Sequence, residues 1–178
     1  GRLCRDLGGS LMVLGSPQQR NLLPGVTHDQ AMELAADCLR RTMPTLEDCG
    51  VTLAVEPLGT ADGTFLNTAE LGARLCEMVA SPHCRLHLDC KAMSSESKPI
   101  PQIIREQRRL MHHFHANDPN LRGPGMGDLD FVPIFQMLAE LDYRGWVSVE
   151  VFDYAPGVEA LARESIEYME ECIDRLAT

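Results

Sequence analysis

No apolar run in this 178-residue sequence approaches the roughly 18 residues of a membrane span. No Cys-x-x-Cys pair occurs, and the seven cysteines, at 4, 38, 49, 76, 84, 90 and 172, are scattered and odd in number. That excludes a simple disulfide framework and predicts free thiols in a reducing compartment, the cytoplasm. Positive charge is scarce: 16 Lys and Arg stand against 26 Asp and Glu, a net charge of −10. Such a surface repels phosphate backbones, so no nucleic-acid partner is expected. An initiator Met is also missing. The chain opens Gly1-Arg2-Leu3-Cys4, which reads as the end of a helix, so the natural protein is expected to begin upstream; a signal peptide stays open.

What is present is ordinary globular composition, 44% hydrophobic and 24% charged, enough for one domain over residues 1–178. Five strand-then-helix units can be read. Strands are expected at 11–14, 51–55, 85–88, 110–114 and 146–149. Helices are expected at about 28–49, 68–79, 103–109, 131–141 and 158–176. Thr27 or Asp29 can cap the first, Pro44 interrupts or kinks it, and Gly50 stops it. Asp128 or Asp130 can cap the fourth, and residues 91–101 read as a polar loop. Leu161, Ile166, Met169, Ile173 and Leu176 are placed inward on the last helix. Alternating order implies a parallel sheet, either doubly wound or part of a (β/α)8 barrel.

Four strands end in a potential ligand: Glu56, Asp89, His115 and Glu150. Side chains alternate along a strand, so each group shares a face with the residues two and four before it. The four therefore point to one side, at the strand ends where α/β proteins build sites. Three carboxylates and one imidazole suit a divalent cation such as Mn²⁺, Mg²⁺ or Co²⁺, with Zn²⁺ or Fe²⁺ as alternatives. The plainer reading is that each acid caps a helix or pairs with an arginine. His87 and His113 share the inward faces of Asp89 and His115 and read as core histidines with satisfied ring nitrogens; His112 faces the helices, and Trp146 fills the barrel floor. Gln19 and Arg20 follow the first strand and can bind a sugar or carboxylate, or Arg20 can pair with an acid.

The segments Val55-Glu56-Pro57-Leu58, Leu88-Asp89, Phe114-His115-Ala116-Asn117-Asp118, Gly125-Met126-Gly127-Asp128-Leu129-Asp130-Phe131 and Val149-Glu150 resemble the sugar phosphate isomerase/epimerase superfamily. This is the xylose isomerase-like TIM barrel group that also contains endonuclease IV. The resemblance implies an α/β TIM barrel lacking its first three βα units, with residues 11–20 as the fourth strand and its loop. By position it implies a metal set of Glu56, Asp89, His115 and Glu150, Mn²⁺ foremost, with Glu56 and Glu150 also exchanging the substrate proton. Arg122 lies where the family often has a substrate-binding arginine, and Asp62 where ketose 3-epimerases have a further glutamate. Those epimerases carry Asp-x-x-His after this third strand. Here the chain reads Asp89-Cys90-Lys91-Ala92-Met93, so the imidazole is absent. Lys91 offers a cation in that region, pointing to an anionic substrate, against a merely solvated lysine. Asn117 can line the pocket or stabilise a turn.

The expected activity is a metal-dependent isomerase or epimerase of a small carbohydrate, acting by proton transfer beside a carbonyl. A dehydratase of the same superfamily is the main alternative; a phosphodiesterase and a non-catalytic sugar-binding barrel are further ones. A five-stranded arc leaves two open edges, so a homo-oligomer is expected.

Overall fold

The computed structural model describes residues 1–176. The short apolar runs form strands β1 (Leu11–Leu14), β2 (Thr52–Val55), β3 (Cys84–Asp89), β4 (Met111–Ala116) and β5 (Val147–Val149). They lie side by side in chain order, β1-β2-β3-β4-β5, and every pairing is parallel. A doubly wound sheet reverses its strand order at a switch point. This sheet does not reverse, so it is an arc of a barrel. Its edges are β1 and β5, neither of them paired on its outer side among the described residues.

The helices are α1 (Arg2–Asp6), α2 (His28–Cys49), α3 (Ala69–Val79), α4 (Cys90–Met93), α5 (Ile100–Gln107), α6 (Val132–Glu140) and α7 (Val158–Asp174). The start of α2 is a reciprocal cap: the Gln30 amide N–H donates to Thr27 Oγ1 at 3.3 Å, and the Thr27 N–H donates to Gln30 Oε1 at 2.9 Å. Such a cap contributes about 1 kcal/mol. Gly50, at φ 64°, ends the helix in the left-handed conformation that glycine adopts freely. The helix runs through Pro44 without a break, contrary to an interruption there. The segment 91–101 is not simply loop: it holds most of α4 and the first two residues of α5. Ahead of α6, Asp130 rather than Asp128 accepts a first-turn N–H, that of Val132 at 3.0 Å.

The core lies between the helices and the sheet. Met32, Leu75, Leu86, Leu88, Phe114 and Phe131 are almost wholly enclosed in it. On the outer side of the β5 edge the apolar pattern misleads. Trp146 is 79% exposed, and Ile166 and Ile173 on α7 are half-exposed. Periodicity marks a face but not what covers it, and no further strand of the described chain packs there.

One irregularity sets the site. Leu86 pairs with Met111, yet His87 pairs with His113 and Asp89 with His115. His112 is the extra residue of this bulge and is exposed, so it is no packed structural histidine. The slip of one residue brings His87, Asp89, His113 and His115 into neighbouring positions.

Candidate metal centre

The expected ligands stand at one end of four adjacent strands. Glu56 follows β2, Asp89 closes β3, His115 is the penultimate residue of β4, one residue inside the strand, and Glu150 follows β5. Around His115 Nδ1 lie Glu150 Oε2 at 3.2 Å, Asp89 Oδ2 at 3.6 Å and Glu56 Oε1 at 3.7 Å. None of these forms an aligned hydrogen bond with the nitrogen. The group opens on a cavity of about 580 Å³, walled also by Asp62, Lys91 and Phe152.

Asp89 and Glu56 are positioned from behind. Asp89 Oδ1 accepts the Ala92 N–H at 2.8 Å and so caps α4, while Oδ2 accepts from Asn117 Nδ2 at 2.6 Å. Capping and site-building thus use different oxygens of one carboxylate. The buried Asn117 cannot turn over, because its Oδ1 accepts the Lys91 N–H at 2.8 Å. Glu56 is buried, and its carboxylate lies against Gly15, where a β-carbon would overlap Oε2. Any larger residue there would have to displace that carboxylate.

Other expected site residues sit differently. Arg20 donates to the Leu14 carbonyl at 3.2 Å and the Glu56 carbonyl at 2.6 Å. It ties the ends of β1 and β2 together and does not line the cavity. Gln19 is exposed beside a separate apolar groove against α2. Arg122 Nε donates to Asp153 Oδ2 at 2.8 Å and is also outside the cavity wall. Lys91 lines the cavity as a paired cation. Its ammonium pairs with Asp62 Oδ2 at 2.7 Å and sits 5.6 Å from the centroid of the Phe152 ring. Phe152 escaped the sequence reading, although it shares the parity of Glu150. Asp118 and Asn120 organise the loop after β4: Asp118 accepts the N–H groups of Asn120 and Leu129, and Asn120 Nδ2 donates to the Met126 carbonyl.

His87 is the larger departure. It is fully buried, as expected for a core residue, but neither ring nitrogen has a hydrogen-bond partner. Its Nε2 lies 3.5 Å from Glu56 Oε1. His113 Nε2 lies 3.3 Å from Ser148 Oγ, while its Nδ1 is unpartnered. Ligand atoms of Glu56, His87, Asp89 and His115 all lie within 4.8 Å of one another, a group able to hold a cation.

The electrostatics fit such an ion. Burial by itself lowers the His115 pKa, yet the adjoining Asp89, Glu150 and Glu56 carboxylates raise it to about 11. Burial raises that of Glu56, and His115 and His87 outweigh it, holding the carboxylate at about 2. Four acids, Glu56, Asp62, Asp89 and Glu150, face the cavity against Lys91 and His115. Oxygen and imidazole groups 3.2–3.7 Å apart and not aligned for hydrogen bonds match a divalent ion with bonds of about 2.0–2.6 Å.

These shifts set a pH dependence for chelator-treated protein. A raised His115 contributes stability fully below its ordinary value of 6.5 and loses it as pH rises through about 11. A depressed Glu56 contributes above 4.5 and loses it as pH falls through about 2. The denaturation midpoint is therefore expected to be highest between the two ordinary values and to decline on both sides. With saturating Zn²⁺ the upper decline should disappear, because the cation takes the place of the His115 proton. Urea titrations across pH, with and without the ion, check both statements; an upper decline that persists with the ion would refute the exchange.

The family model described as xylose isomerase-like TIM barrel matches residues 2–172. The chain is 28% identical over 172 residues to a probable ketose 3-epimerase of Synechocystis sp., covering 88% of this chain and 57% of that protein. It is 32% identical over 114 residues to a D-psicose 3-epimerase of Enterocloster bolteae, covering 64% of this chain and 38% of that one. A solved L-ribulose 3-epimerase superposes with a TM-score of 0.84 at 26% identity, over 98% of this chain and 64% of the other. The chain thus spans less than two thirds of the length of each of these.

Proposed function

The chain belongs to the xylose isomerase-like TIM barrel family, and we propose that it serves a metal-dependent sugar epimerase or isomerase acting by proton transfer beside a carbonyl. The observation that carries this reading is the convergence of Glu56, Asp89 and Glu150 on His115 Nδ1 in the wall of the cavity. Glu56, Asp89, His115 and Glu150 would hold one divalent ion, Mn²⁺ foremost, and such an ion would supply Lewis acidity toward a carbonyl and its neighbouring hydroxyl. Glu56 and Glu150 face the cavity from strands at opposite flanks of β3 and β4. One accepts the carbon-bound proton and the other returns a proton from its own side, which inverts the carbon. Asn117 keeps Asp89 in place during the exchange. The Lys91–Asp62 pair offers a donor and an acceptor to substrate hydroxyls, and Phe152 gives that wall an apolar face. With its ammonium neutralised by Asp62, Lys91 favours an uncharged polyhydroxy substrate over the anionic one suggested by the sequence.

The test is incubation with D-psicose or L-ribulose, the sugars of the relatives, in D₂O with Mn²⁺. Expected are the epimeric sugar and deuterium at the epimerised carbon. Turnover without deuterium would indicate hydride transfer and remove the glutamates from the base role. A dehydrated product would assign the lyase alternative.

A further inference from the structure

We propose that Leu121 determines specificity in the cavity, selecting a sugar that carries an apolar group, the terminal methyl of a deoxy sugar, over its fully hydroxylated counterpart. This rests on the sugar-epimerase reading above and deepens it by naming the substrate class. Leu121 holds φ 73°, in the left-handed region that glycine adopts freely and L side chains rarely adopt. The loop after β4 demands that conformation. The Leu121 N–H donates to the Asp118 carbonyl at 2.9 Å, and the Asp118 N–H donates to the Arg122 carbonyl at 2.9 Å, so the chain reverses between Asp118 and Arg122. The Leu121 carbonyl then accepts the N–H groups of Phe152 at 2.8 Å and Asp153 at 3.0 Å. Backbone makes all of these bonds. Glycine or asparagine at 121 would make them with less strain.

The leucine side chain must therefore contribute something that the fold of the loop does not need. Packing is not that contribution. Among the described residues Leu121 belongs neither to the buried core nor to the partly buried residues packed against it. The loop follows β4, an inner strand paired on both sides, and not an edge strand. What the side chain does is line the cavity. The neighbouring Arg122 does not, since its guanidinium is turned to Asp153. A strained residue kept in a cavity wall, without packing to repay it, points to contact with a ligand. Phe152 lines the same cavity and is bonded through its N–H to the Leu121 carbonyl, so two apolar side chains stand side by side there. Neither offers a hydrogen bond. A hydroxyl set against them is desolvated without a partner, whereas a methyl gains by burial. In a hydrophobic site such a difference discriminates by on the order of tenfold to a hundredfold.

The test compares D-psicose with 6-deoxy-D-psicose on the Mn²⁺-loaded protein, together with urea titrations of the wild type, Leu121→Asn and Leu121→Gly. The wild type should show kcat/KM higher for the deoxy sugar by about tenfold or more. Both variants should lose that preference, while their urea midpoints equal or exceed that of the wild type, because the backbone strain is relieved. Midpoints that fall in both variants, or a preference that survives in them, would show a leucine held for structure and overturn this inference alone. A wild type that turns over the two sugars equally, or prefers D-psicose, overturns it as well and leaves the sugar-epimerase reading standing. If the wild type turns over neither sugar, that reading fails and this inference with it. The wild-type preference decides the matter even where a variant does not fold.

Discussion

Glu150→Gln is expected to abolish nearly all proton exchange while leaving the fold intact. Glutamine matches the volume of glutamate, and the side chain is one-third exposed, so the amide is hydrated without loss of packing. It cannot accept a proton, and positioned general bases contribute about 10²–10⁴-fold to rate. The loss should appear in kcat, because the groups proposed to meet the substrate hydroxyls, Lys91 and Asp62, are untouched. Deuterium incorporation and epimer formation should fall together, with unchanged circular dichroism. A variant that still exchanged at the wild-type rate would leave Glu56 as sole acid and base, and the two-glutamate scheme would be wrong.

The second large effect is expected at Gly15→Ala. A methyl group there meets Glu56 Oε2, and that carboxylate is only 5% exposed, with the β1–β2 ladder tying its N–H to the Leu14 carbonyl at 3.1 Å. Either the strand ends separate or the carboxylate leaves its place. Overpacking of this kind costs about 1–3 kcal/mol; here it also displaces a ligand, so cation affinity and turnover should fall with stability. Adding Glu56→Asp shortens the opposing side chain and should recover stability but not turnover, which a double-mutant cycle reads directly. Additive losses in both quantities would show that Gly15 and Glu56 do not compete for the same space.

The four strand-end groups were legible because a strand repeats every two residues and a parallel sheet puts every C-terminal end on one side. The same rule placed His87 and His113 inward, but it says nothing of whether a ring nitrogen finds a partner. That depends on the one-residue slip opposite His112, which no local pattern announces. The surroundings of Arg20 and Lys91 are not legible in the sequence for a related reason. Their partners, the Glu56 carbonyl and Asp62, lie 36 and 29 residues away in the chain, and such pairings become visible only once the strands are laid side by side. Trp146, Ile166 and Ile173 show the opposite failure: the apolar period was read correctly, but the face it marks is uncovered in the described chain.

The unbroken strand order has a consequence for how the molecule is made. Each strand hydrogen-bonds only to its predecessor and its successor in the chain. Among the described residues every sheet contact therefore closes a segment one βα unit long. A chain leaving the ribosome can add units one at a time, each new strand docking on the edge its predecessor has just presented. The candidate metal centre cannot form so gradually. Its residues come from β2 through the residue after β5, so the carboxylates of Glu56 and Asp89 are laid down first and remain exposed edges of a growing sheet until His115 and Glu150 arrive to complete the ring.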